Sequence, residues 1–89
     1  MAQIGNVRSN GDSTILDVEI GRKHRHISIS REAIEDYLHL LPEAAAQWGP
    51  EDRRAFVEKN SSLVVSSADR KLAVAYFDTE LIMIETGEL

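Results

Sequence analysis

The stretch Ser13–Leu41, STILDVEIGRKHRHISISREAIEDYLHLL, decides the fold, because three local signals follow one another in it. Leu16, Val18 and Ile20 alternate with Asp17 and Glu19, the period-two pattern of a strand with one buried face. Gly21-Arg22 suits a two-residue turn with glycine where φ must be positive. Such a turn sets a register of Glu19 opposite His24, Asp17 opposite His26 and Leu16 opposite Ile27. Ile27 and Ile29 then share the buried face, while both imidazoles meet carboxylates on the other. Ser30 stands where it can cap a helix, and Glu32 falls in the first turn, where the helix dipole favours an anion. Ile34, Tyr37, Leu38 and Leu41 recur at helical spacing as one buried stripe, and Pro42 ends the helix.

Upstream, Asn10-Gly11 marks a hairpin, so residues 2–9 read as a further strand at the sheet edge. Ile4 and Val7 lie three apart and share a face only if Gly5 marks a bulge. Downstream, PEAAAQWGP (42–50) is a connector with one helical turn at most, in which Trp48 packs at the core or its rim. Pro50 opens a second helix over about 51–71, with Phe56, Val57, Leu63, Val64, Ala68 and Leu72 on one broad face. Arg70 and Lys71 complement the dipole at its end. The interior NSSLVVSS is middling helix material, so a rival reading breaks the helix at Asn60 and makes Ser62–Ser66 a strand. Leu72–Phe77 and Glu80–Glu85 are apolar runs joined at Asp78-Thr79 and suggest a second hairpin. The expected fold is therefore α+β, a single domain over 1–89. Its small antiparallel sheet combines the N-terminal hairpin strands with a C-terminal hairpin, packed against two helices at about 31–41 and 51–71.

A chain of 89 residues holds one modest core, and 43% hydrophobic content is ordinary for a globular domain. The absence of cysteine excludes disulfides, thiol catalysis and thiolate metal sites, and fits the reducing cytoplasm taken as the expected location. MAQIGNVRSNGD lacks the apolar run of a signal peptide, and no stretch approaches the length of a membrane helix. The net charge of −5 is uneven: residues 1–30 carry four basic and three acidic side chains, residues 31–89 six basic and twelve acidic. That balance lacks the extended positive footprint of a nucleic-acid binder.

Three segments in this order, HISISREAIEDYL, FVEKNSSLVVSSADRKL and ELIMIETGEL, resemble the bacterial family called domain of unknown function 1488. The resemblance runs from Thr14 to the last residue. It implies a strand pair, an IS-x-EAL-type helix, a long helix and a closing strand, with a bacterial or phage origin and no catalytic residue to carry over. The chain departs from the family at Ser61, where an arginine is expected, and in its additional N-terminal strand.

The chemistry on offer is sparse. His24-x-His26 puts two imidazoles on one strand face, a spacing that some metal sites use. A full site needs three or four ligands, and the opposed Asp17 and Glu19 make cross-strand pairing the simpler reading. Neither a metal nor a cofactor is expected. Arg22, Lys23 and Arg25 with the two histidines form a basic run that lacks interleaved aromatics. The adjacent Glu35 and Asp36 diverge on a helix and cannot share a proton over one substrate. No phosphate loop, nucleophile elbow or H-E-x-x-H motif occurs, so the chain is not read as an enzyme.

Two binding readings and one metal reading remain. The first is a protein–protein contact domain, including association as a homodimer. The second is an acidic phage-type inhibitor or nucleic-acid mimic, motivated by the six acidic residues between Glu32 and Asp52. The third is a metal-dependent activity at His24 and His26. Candidate partner-binding residues are Arg22, Lys23, Arg25, Glu32, Glu35, Asp36, Leu81 and Met83. The homodimer expectation rests on LIMI (81–84), which is apolar on both faces. Two amphipathic helices cover one face of a small sheet, so Leu81 and Met83 call for a second copy unless the second helix and the 42–50 connector cover them.

Overall fold

The computed structural model describes residues 3–74 and 79–89. Three strands, β1 (Gln3–Asn10), β2 (Ser13–Ile20) and β3 (Lys23–Ile29), form an antiparallel meander. Four helices follow: α1 (Arg31–Leu38), α2 (Pro42–Gln47), α3 (Pro50–Lys59) and α4 (Ser61–Ala73). A last strand, β4 (Leu81–Ile84), returns beside β3 and completes a sheet of order β1-β2-β3-β4 among the described residues. The α+β class follows directly from this arrangement.

The hairpin register is the one the alternation sets, with Asp17 opposite His26, Glu19 opposite His24 and Leu16 opposite Ile27. Gly21 and Arg22 take φ of 63° and 65°, the two positive values that a tight hairpin turn matched to strand twist requires. The β1–β2 register shifts between Ile4 and Val7, which is the expected bulge. A Cβ on Gly5 would lie 3.0 Å from the Asp17 carbonyl oxygen, so a larger residue would push the two backbones a few tenths of an ångström apart there. The Ser30 side chain accepts the Ala33 amide at 3.1 Å and caps α1 as expected.

Five expectations need correction. First, α1 ends at Leu38 rather than Leu41. His39 turns left-handed at φ 54°, and its amide and that of Leu40 bond back to Asp36 and Glu35, closing the helix in a Schellman-type cap. Tyr37 and Leu41 thereby leave the buried stripe, Leu41 being 70% exposed, and Leu38 is only partly buried. Second, Pro42 begins α2 instead of only stopping α1, since its fixed φ suits a first helical position. Third, the 51–71 helix is two helices parted at Asn60, whose side chain donates to the Phe56 carbonyl at 2.9 Å and competes with the backbone ladder. Ser62–Ser66 is helix and not strand.

Fourth, Leu72 and Ala73 end α4 instead of starting a hairpin. Leu72 continues the helical row of Val65 and Ala68 onto the core; residues 75–78 of the expected hairpin lie outside the described residues. Fifth, β4 runs parallel to β3, so the sheet is mixed, and the chain reaches β4 through a crossover of helices, as parallel pairing requires.

The core lies on one side of the sheet. Leu16, Val18, Ile27, Ile29, Ile82 and Ile84 meet Ile34, Phe56, Val57, Val64 and Ala68 from the helices. No helix among the described residues is long and apolar enough to cross a membrane.

Candidate functional site

Strand alternation leaves a second sheet face, turned away from the core. Residues directly opposite in register share a face, so two rows of that face can be traced. One is Asp17, His26 and Leu81; the other is Arg8, Ile15, Ser28 and Met83. Ile15 is buried there, whereas Leu81 and Met83 are each 51% exposed, alternating with the buried Ile82 and Ile84. The face thus carries a polar strip at Asp17 and His26, the buried Ile15 of β2 beside it, and an apolar strip on β4.

The polar strip is built on Asp17. His26 Nδ1 lies 2.6 Å from Asp17 Oδ1, and Arg8 donates to the same oxygen at 3.4 Å. Partial burial pushes the Asp17 carboxyl up, but the hydrogen bonds from His26 and Arg8, together with their charge, outweigh it and hold the carboxyl below its ordinary value. An ionised carboxylate only accepts, so the proton sits on His26 Nδ1. A depressed carboxyl stabilises the fold above the ordinary carboxylate range, and that contribution disappears as pH falls through the folded value. Asp17→Asn should therefore lower the urea midpoint at neutral pH, and the gap to wild type should close in the acid range. A gap that persists at the acid end would assign the loss to something other than the carboxylate.

The basic run does not stay together. Arg22 is exposed in the turn, and His24 and His26 face outward. Arg25 lies on the helix-facing side opposite Val18, only 8% exposed, where its Nη1 donates to the Thr79 carbonyl at 2.6 Å and its Nε to the Ile20 carbonyl at 3.4 Å. Arg25 thus fixes the approach to β4, where the His26 amide also bonds the Glu80 carbonyl at 2.7 Å. Among the described residues no three histidine or carboxylate side chains converge as a metal site.

The acidic candidates serve local roles. Glu32 occupies the first turn of α1, Glu35 pairs with Arg31 at 3.3 Å, and Asp36 supplies a carbonyl to the α1 cap. Asp52 accepts the Gly49 amide at 2.9 Å and caps α3. Glu32, Glu35 and Asp36 thus stand together on α1, and Asp52 stands on α3.

Sequence reading missed a cluster at the outer border of β4. Lys71, assigned above only to the helix dipole, donates its Nζ to the Met83 carbonyl and pairs with Glu88 Oε1 at 2.9 Å. Glu88 Oε1 also accepts the Glu85 amide at 2.8 Å, and Thr79 Oγ1 donates to the Leu81 carbonyl at 2.9 Å. The hydrogen bond from Lys71, then that from the Glu85 amide, holds the Glu88 carboxyl below its ordinary value against a smaller opposing effect of burial. The one local signal was Thr86-Gly87, a turn dipeptide that places Glu88 back over its own strand. Gly87 takes φ 84°, and the Glu88 amide bonds the Glu85 carbonyl at 2.9 Å.

Compared with known proteins, the chain matches no family model, no curated protein and no solved structure.

Proposed function

We propose that this chain is a small, non-enzymatic contact domain that binds protein, in the first place a second copy of itself, through the β4 side of its outer sheet face. The observation that carries this reading is the pair Leu81 and Met83, each half-exposed on a strand whose alternate residues are fully committed to the core. Half-exposed apolar neighbours on a flat sheet face are what an interface removes from water. The adjoining strip supports a self-pairing, since Arg8 and His26 stand beside Asp17 and Glu19. A two-fold axis can set each sign of charge against the other. The lack of cysteine supports a cytoplasmic setting.

Sedimentation at micromolar concentration tests the reading. A species of twice 10.0 kDa is expected, and a clean monomer across that range would refute the self-contact.

A further inference from the structure

A sheet can associate by its face or by its edge, and the two borders of this sheet are finished differently. At β1 the bulge at Gly5 interrupts the edge, a common way of discouraging added strands. β4 has no bulge. Its parallel ladder bonds the His26 amide to the Glu80 carbonyl and the Ser30 amide to the Ile84 carbonyl. Even-numbered residues of β4 therefore spend their backbone groups on β3, and Leu81, Met83 and Glu85 turn theirs to the other border, the open edge, which no further strand occupies among the described residues. Three of those outward groups carry side-chain caps: Thr79 on the Leu81 carbonyl, Lys71 on the Met83 carbonyl, and Glu88 on the Glu85 amide.

We infer that the open edge of β4 is a strand-docking surface fitting β4 of a second copy run antiparallel, and that Lys71, held by Glu88, keeps it closed. The fit follows from the register. If Leu81 opposes Met83 of the second copy, each residue exchanges both of its edge-facing backbone bonds with the other. The two-fold axis then repeats the pair, and Ile82 faces Ile82 between them. This register sets Leu81 beside the other copy's Met83 on the outer face and keeps isoleucine on the core side. It also requires the two carbonyls that Thr79 and Lys71 now occupy. Thr79 is two residues from its acceptor and turns away by a single χ1 rotation. Lys71 comes from α4 and is fastened by Glu88, so it is the group that bars the second strand. The closed edge leaves the outer face as the contact described above; this inference goes beyond that contact, since it says which border of the sheet is barred and by what.

Amide exchange separates the two modes, because no other described residue bonds the Leu81 and Met83 amides within one chain, whereas a β4–β4 ladder bonds both. In wild type these two amides should exchange at a rate independent of protein concentration. In Lys71→Met, which keeps the side-chain stem and loses the donor, exchange should slow by about tenfold or more as concentration rises. Lys71→Arg should behave as wild type, and Glu88→Gln should slow exchange in the same direction as Lys71→Met. Folded Lys71→Met and Glu88→Gln with fast, concentration-independent exchange at both amides would overturn the inference. If Lys71→Met fails to fold, Glu88→Gln alone decides. A monomeric wild type whose Lys71→Met variant joins through β4 would remove the face contact and keep the guard. A dimeric wild type with no change in the variants would remove the guard and keep the face contact.

Discussion

Ile82→Glu should abolish folding, and Met83→Glu, one residue along the same strand, should leave the chain folded. Ile82 is 3% exposed and lies opposite the fully buried Ile27. A glutamate there would place a carboxylate among apolar side chains, and Arg25, the buried guanidinium on that side of the sheet, is already engaged with the Thr79 and Ile20 carbonyls. Burying an unpaired charge costs several kcal/mol even after relaxation, against a total stability of roughly 5–15 kcal/mol for a domain. Met83 presents its side chain to the outer face, where a carboxylate meets solvent. Circular dichroism and urea unfolding of the two variants check the contrast, and sedimentation of Met83→Glu should show folded monomer. Equal destabilisation by both would mean that the outer face is covered within one chain.

Ile27→Ala should cost roughly 2–5 kcal/mol, the range for truncating a well-packed aliphatic residue. Ile27 is fully buried and sits between Leu16 and Ile82 in the sheet, so three strands line the cavity and none can move in alone. The loss is a large part of the stability of so small a domain. Leu38→Ala is the useful comparison. The helical stripe read from sequence makes it a core residue, but α1 ends at this position and leaves it at the border of the cluster, so its truncation should cost less than that of Ile27. Denaturant midpoints at constant slope give both values.

The β2–β3 hairpin and the cap of α1 were legible because their causes are local. Period-two alternation, a turn glycine and a serine before an amphipathic run each act over a few residues. The bulge was legible for the same reason, since Ile4 and Val7 share a face only with one extra residue between them. What escaped reading depends on partners far along the chain. Nothing in Leu81–Ile84 says whether its neighbour runs parallel or antiparallel. The strand at Leu72–Phe77 was inferred from composition, although Leu72 belongs to the α4 row. Arg25 looked like surface because arginine usually is, yet its place in the alternation sends it inward, where carbonyls from β2 and the approach to β4 receive it. The Lys71–Glu88 pair joins residues 17 apart and had no local pattern to announce it. The exposure of Leu81 and Met83 was readable in advance, because a short strand apolar on both faces leaves one of those faces outside the core.

The parallel arrival of β4 also sets the order in which the protein assembles. Glu19 and His24 meet across a turn of a few residues, whereas His26 meets Leu81 only after every helix has been laid down. Closing a short loop costs little chain entropy and a long one more, so the meander is expected to form early and the last strand to dock late. Until it docks, β3 is itself an edge, and Ile27 and Ile29 lack their neighbours on that side, Ile82 and Ile84. By the same asymmetry β4 is expected to open before the meander does, leaving the three N-terminal strands paired.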